Sequence, residues 1–187
     1  MNNQRHLVVI SGPSGSGKDT VVEYLRQKHP EIEVSISATS RQPREGEQEG
    51  VNYYYMTRLE FEEKIKNNEI LEYTEYCGNY YGTPKSEVDK RISENKIVVL
   101  VIEVEGAMNI RKMYPDCTTI FVRPPSYEEL SERLRKRGTE DENSIRRRLA
   151  RAVEEMEYAV DYDFVVVNSV IEDCAEEIYN AIQERLK

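Results

Sequence analysis

The chain has 187 residues, 39% of them hydrophobic and 33% charged, with a formal net charge of −9. That length suits one domain with a sizeable core and room for small insertions, while no apolar run approaches the roughly 18 residues of a membrane span. The acidic balance argues against a protein that coats nucleic acid, no membrane partner is expected without an apolar span, and Cys77, Cys117 and Cys174, odd in number and without metal-ligand spacing, read as reduced thiols of a cytoplasmic protein.

Met1 to Arg5 leads into the first strand at once, so no signal peptide is expected. His6 to Ser11 is an apolar run of strand type. It passes into Gly12-Pro13-Ser14-Gly15-Ser16-Gly17-Lys18-Asp19-Thr20, which follows the phosphate-binding pattern G-x-x-x-x-G-K-[ST] up to its last position. Glycines let successive backbone N–H groups turn inward around a polyphosphate, and Lys18 adds a mobile positive charge. The helix that follows aims the positive end of its dipole at the same anion. Asp19 stands where a hydroxyl usually meets Mg²⁺, so Thr20, one residue late, or Asp19 through a water is expected to take that role.

Val21, Val22 and Leu25 carry that first helix from Thr20 to Lys28, and His29-Pro30 stops it. Ile32 to Ala38 alternates apolar and polar residues and reads as a second strand. Thr39 to Gly50 is a polar loop with two arginines flanking a proline, and Val51 to Met56 reads as a strand. Arg58 to Asn67 is a charged helix; Ile70 to Tyr76 and Asn79 to Gly82 form a hairpin around Cys77-Gly78. Thr83-Pro84 opens a helix that runs to about Asn95.

Ile97 to Glu103 is a near-continuous apolar run ending in an acid, the pattern of a central parallel strand. Gly106 to Tyr114 is helical, Thr118 to Val122 is another buried strand, and Arg123 to Ser126 is a stop. Two helices follow, Tyr127 to Arg137 and Ser144 to Asp161, joined at Gly138. Phe164 to Asn168 is a last strand, and Ile171, Cys174, Ala175, Ile178, Ile182 and Leu186 share one face of a final helix. This alternation predicts an α/β domain with a mainly parallel sheet and an inserted tyrosine-rich section.

Three groups of polar residues suggest chemistry. Arg41 and Arg44, with Tyr53 and Tyr81, suit a second phosphate-bearing ligand, or else form a solvated loop over core tyrosines. Glu72 and Glu103 sit at apolar strands, where an unpaired carboxylate is costly. A base with two N–H donors such as guanine would satisfy them, and so would an ordinary salt bridge. Arg137 and Arg148 lie on the helices around Gly138, where they could close over a nucleotide and stabilise a transferring phosphoryl group, or else belong to a solvated charged helix pair. Arg135, Lys136 and Arg151 read as solvated helix charges.

In order along the chain these segments resemble the guanylate kinase family over nearly the whole length. The resemblance is carried by Gly12 to Lys18, Ser37 to Glu47 with its Arg-x-Pro-Arg, Ile70-Leu-Glu72-Tyr and Gly78-Asn-Tyr-Tyr-Gly-Thr83. It continues in Ile102 to Gly106, Arg133 to Thr139, Arg148-Leu149 and Tyr162 to Asn168. It implies a P-loop kinase fold: a mainly parallel central sheet flanked by helices, a small mixed α/β GMP-binding subdomain at about 35–85, and a helical lid at about 126–158.

The resemblance further implies Mg²⁺-dependent transfer of the γ-phosphoryl group of ATP to GMP, by a monomer or small homo-oligomer. Gly12 to Thr20, Arg137 and Asn168 would bind ATP, with Asn168 near the adenine. Arg41, Arg44, Tyr53 and Tyr81 would hold the GMP phosphate, while Ser37, Glu72, Thr83 and Glu103 would read the guanine. Lys18, Arg44, Arg137 and Arg148 would serve the transfer itself. The chain departs from the family pattern at Asp19, Val101, Glu105 and Ser169, all on the phosphate and metal side. Competing readings are a catalytically silent interaction module, a sugar-phosphate kinase of the same superfamily and a poorly active divergent member. The retained Gly17-Lys18 and lid arginines argue against the first, and Glu72 with Tyr80-Tyr81 against the second.

Overall fold

Two sheets divide the chain in the computed structural model, which describes residues 6–76, 78–94, 96–136 and 141–187. The larger is parallel throughout, in the order β2-β7-β1-β8-β9: Ile32–Val34, Ile97–Val101, Leu7–Ser11, Thr118–Arg123 and Phe164–Val167. Alternation along β1 sends its residues to two separate cores. Val8 and Ile10 pack with Val21 and Leu25 of helix α1 (Lys18–Lys28) and with Ile178 and Ile182 of helix α7 (Ile171–Leu186). Leu7 and Val9 pack on the other face with Leu100, Phe121 and Ile110, the last from helix α4 (Val104–Met113). With both faces covered, the central strands are apolar almost without interruption.

The smaller sheet is mixed, in the order β4-β3-β6-β5: Tyr54–Tyr55, Ala38–Thr39, Asn79–Pro84 and Ile70–Tyr76. Helix α2 (Arg58–Lys66) covers it through Phe61, which is fully buried with Ala38 and Ile70. Thr57 and Glu60 form a reciprocal capping box that fixes where α2 begins. Helix α3 (Lys85–Ser93) leads back to the large sheet. Helices α5 (Tyr127–Lys136) and α6 (Glu142–Glu157) share a small apolar core of their own, built from Leu130, Leu134, Ile145, Leu149 and Ala152. Among the described residues no helix is long and apolar enough to cross a membrane.

Several boundaries differ from the sequence reading. The single strand expected over Ile32 to Ala38 is two strands in different sheets. Ser35 N–H still bonds Val99 C=O at 2.9 Å in the large sheet, while Ser37 C=O already accepts from Tyr54 N–H at 2.9 Å in the small one. Period-two alternation continues through such a crossing, so the break leaves no mark in the pattern. Only Tyr54–Tyr55 of Val51 to Met56 is strand, and β6 continues through Pro84, which serves as the N-cap of α3. Strand β7 ends at Val101, and Glu103 is the N-cap of α4, so that helix starts two residues before Gly106. Asp141 caps α6 through Ser144 N–H at 2.7 Å, and the helix gives way to a 3-10 turn over Tyr158–Asp161.

Candidate functional site

A cleft of about 810 Å³ opens between the glycine-rich loop, the small sheet, the first turn of α4 and one face of α6. Its floor is the loop after β1. Ser16 N–H closes a turn on Pro13 C=O at 3.0 Å, and Gly17, at φ 86°, is the N-cap of α1 without a side-chain cap. Uncapped N–H groups at a helix start, under a glycine loop, form an anion cradle. Lys18 is 8% exposed, and its ammonium donates to Gly12 C=O at 3.3 Å, folded back along the loop.

The loop is braced from behind. Asn168, buried after β9, donates its side-chain amide to Ser16 C=O at 2.8 Å. Arg133 of α5 donates to the same carbonyl at 3.3 Å and to Asn168 C=O at 3.0 Å, while Glu129 accepts from its Nε at 3.0 Å. A Cβ on Gly17 would stand 2.4 Å from the Asn168 amide nitrogen, so this close approach requires glycine. Arg148 reaches across from α6 and donates to Ser14 Oγ.

The small sheet supplies the opposite wall. Arg41 Nη2 donates to both carboxylate oxygens of Glu47, each contact at 2.9 Å, and the guanidinium lies 5.5 Å from the Tyr53 ring. Glu47 also accepts from Arg44 N–H at 2.7 Å and from Tyr55 Oη at 2.8 Å. The Arg44 backbone N–H, then the Tyr55 hydroxyl and Arg41, hold the Glu47 carboxyl down at about 2. Glu47 thus organises the arginine loop, a role the sequence reading did not assign. Its signal is its spacing, six residues after Arg41 at the end of the Ser37 to Glu47 segment. Tyr53 and Tyr81 meet edge to face at 6.0 Å beside Arg41.

At the far end, Glu72 is 7% exposed and accepts from Thr83 Oγ1 at 2.7 Å. It rests on the first turn of α4, where a Cβ on Gly106 would come within 2.6 Å of its carboxylate. Burial pushes its pKa up to about 6, with the Thr83 hydrogen bond opposing and Glu103 adding repulsion. A raised folded-state value means stability present below 4.5 is lost as pH rises through about 6. Glu72→Gln is therefore expected to gain about 2 kcal/mol on wild type between pH 4.5 and 7.5. Denaturant melts at the two pH values check this; a pH-independent difference would place the carboxylate in a wetter setting.

The cleft brings together Ser14, Gly15, Gly17, Lys18 and Asp19 of the loop with Ser37, Arg44, Tyr53, Glu72 and Tyr81 opposite, and with Glu103 and Arg148. Gly12, Pro13 and Ser16 shape the loop from within; Thr83 lies beneath Glu72, and Arg41 is turned to Glu47. Asn168 sits behind the loop rather than on the cleft wall. Thr20 is exposed and outside the cleft lining, whereas Asp19 is on it. Arg137 lies outside the described residues. Arg151, read as a solvated helix charge, lines the cleft, and so does Glu155, to which the sequence reading assigned no role.

The described residues hold no group of three or more His, Cys, Asp or Glu side chains placed to bind a metal ion. That arrangement is compatible with Mg²⁺, which keeps several waters and is held by one or two carboxylates plus substrate phosphates.

The sequence model of the guanylate kinase family matches residues 4–185. A guanylate kinase of Desulfitobacterium hafniense (strain Y51) is 47% identical over 169 residues, covering 90% of this chain and 84% of that protein. One from Prochlorococcus marinus (strain MIT 9312) is 45% identical over 183 residues, 98% of this chain and all of its own. The crystal structure of guanylate kinase from Anaplasma phagocytophilum superposes with a TM-score of 0.76 at 34% identity, over 97% of this chain and 86% of that one.

Proposed function

The chain belongs to the guanylate kinase family, and we propose that it transfers the γ-phosphoryl group of ATP to GMP, giving ADP and GDP. The observation that carries this reading is the pairing, across one cleft, of a phosphate cradle at Lys18 with a buried acceptor, Glu72, held from beneath by the Thr83 hydroxyl. A guanine edge offers two adjacent N–H donors, and an ionised Glu72 accepts both. The segment 35–85 acts as the GMP-binding subdomain and 126–158 as the lid.

ATP enters over Gly12 to Thr20, its phosphates taking the loop N–H groups and Lys18. Asn168 acts on this site through the Ser16 carbonyl it braces. Arg41, Arg44, Tyr53 and Tyr81 receive the GMP phosphate. Arg41 exchanges one Glu47 contact for it, while Ser37 and Glu103 complete the base contacts. Mg²⁺ would be held by Asp19, with Thr20 or Glu103 through water, and would supply charge neutralisation for the nucleotide phosphates.

In the transfer, a GMP phosphate oxygen bonds to the γ-phosphorus as its bond to the ADP oxygen breaks. Charge spreads over the equatorial oxygens, where Lys18, Arg44, Arg137 and Arg148 donate hydrogen bonds. No covalent enzyme intermediate is required; catalysis is positioning and electrostatics. Lid closure over the nucleotides excludes water as a competing acceptor.

Glu72→Gln tests the base-reading half of this proposal. An amide nitrogen facing the guanine donors mispairs one contact, so the preference for GMP should fall by about 1–3 kcal/mol. Turnover numbers with saturating GMP should move much less. Undiminished guanine preference in the variant would transfer base reading away from Glu72.

A further inference from the structure

Helix α6 carries four arginines within six residues, Arg146, Arg147, Arg148 and Arg151. Two of them serve the helix. Arg146 is a largely exposed partner of Glu142 at 3.9 Å, and Arg147 donates to Ser144 Oγ at 3.1 Å. Arg148 and Arg151, one turn apart and so on the same face, both line the cleft.

Arg151 is held in an unusual way. Its Nε donates to Glu155 Oε1 at 2.8 Å, and Glu155 is only 6% exposed. The contact stops there. Glu155 Oε2 is buried with no hydrogen-bond partner, and neither terminal nitrogen of Arg151 has one among the described residues. An arginine that merely solvates a helix does not require a carboxylate buried at this cost to orient it. A guanidinium gripped by Nε alone keeps its two-nitrogen fork open, the geometry that matches two oxygens of a phosphate. The Arg151 side chain is 58% exposed, so that fork is accessible to a ligand. Glu103 lines the same cleft, and its charge and that of Glu105 at the start of α4 also act on Arg151.

We propose that Arg151, aimed by Glu155, is an additional catalytic cation of this cleft, donating its open fork to the phosphoryl oxygens beside Arg148. The inference rests on reading the cleft as a phosphoryl-transfer site. It adds no proton movement and no new bond to the transfer described above; the guanidinium stays charged and only donates hydrogen bonds. Glu155 is a positioning residue that sets the direction of the fork.

The test compares steady-state kinetics of the intact protein with Arg151→Ala, Arg151→Lys and the double variant Arg151→Ala/Glu155→Leu, using ATP, Mg²⁺ and GMP. Arg151→Ala should lower kcat about 10- to 100-fold, below the effect of a fully buried oxyanion donor, with both KM values within about threefold of wild type. Arg151→Lys should recover less than half of that loss, since a single ammonium cannot form the fork. The double variant removes the orphaned carboxylate as well and should stay as slow as Arg151→Ala. Arg146→Ala should keep the wild-type rate. A kcat within twofold of wild type in Arg151→Ala would overturn the proposal. So would recovery of the wild-type rate in the double variant, which would trace the loss to an unpaired Glu155. Absence of GMP-dependent turnover in the wild-type protein would overturn the functional reading itself, and this inference with it.

Discussion

Replacement of Lys18 by alanine is expected to lower kcat by about 100- to 1,000-fold while the protein stays folded. Among the described residues the ammonium bonds only Gly12 C=O, at 3.3 Å. Gly12 is buried, so the variant leaves that carbonyl without its donor, at a cost of about 1–3 kcal/mol. In the proposed transfer the same ammonium would meet negative charge on the transferring group in a closed, water-poor site, where its loss could not be made good by solvent. Steady-state kinetics and a thermal melt on the same preparation separate the two effects. A variant retaining more than about a tenth of wild-type turnover would be incompatible with a phosphate cradle at this loop.

Gly12→Ala should be more damaging, because it strikes fold and site together. Gly12 sits at φ 148°, and a Cβ there would lie 2.1 Å from Val122 C=O and 3.0 Å from the Val122 carbonyl carbon. Both are backbone atoms of a central strand, so no rotamer change relieves the contact. Either β8 or the loop must move, at a cost of about 1–3 kcal/mol or more. The loop carries the N–H groups and Lys18, and a shift of about 1 Å in such an array costs on the order of 100-fold in rate. The expected outcome is a lower melting temperature with turnover near background. Contrast with Gly46 sharpens the test: it also has positive φ, yet a Cβ there meets nothing within 4 Å, so Gly46→Ala should cost only backbone strain.

Much of this architecture is written locally and could be read locally. The alternation of Leu7 to Ser11 sorts its residues between two cores, and Gly12 to Lys18 encodes both the turn and the charge. The apolar run from Ile97 marks a strand buried on both faces. What could not be read arises between distant segments. The chain leaves one sheet for another between Ser35 and Ser37 without a break in pattern, because which sheet receives a strand depends on Val99 and Tyr54. Asn168 is 152 residues from the carbonyl it supports, and Arg133 is 117 residues from it, so their bracing role exists only in three dimensions. Arg151 looks in sequence like its neighbours Arg146 and Arg147. Its difference lies in Glu155, whose burial no helical charge pattern reveals. Glu72 was legible as an expensive carboxylate at an apolar strand, but its Thr83 partner became visible only once β5 and β6 were paired.

Asp19 and Val101, two of the departures from the family pattern, both line the cleft. The most direct test of the central claim is therefore turnover itself. The purified protein, supplied with Mg²⁺ and ATP, is offered GMP, AMP, CMP and UMP in turn, and the ADP formed is measured. The account predicts strong ADP production with GMP and little with the other three. Equal turnover with all four, or none with GMP, would contradict it.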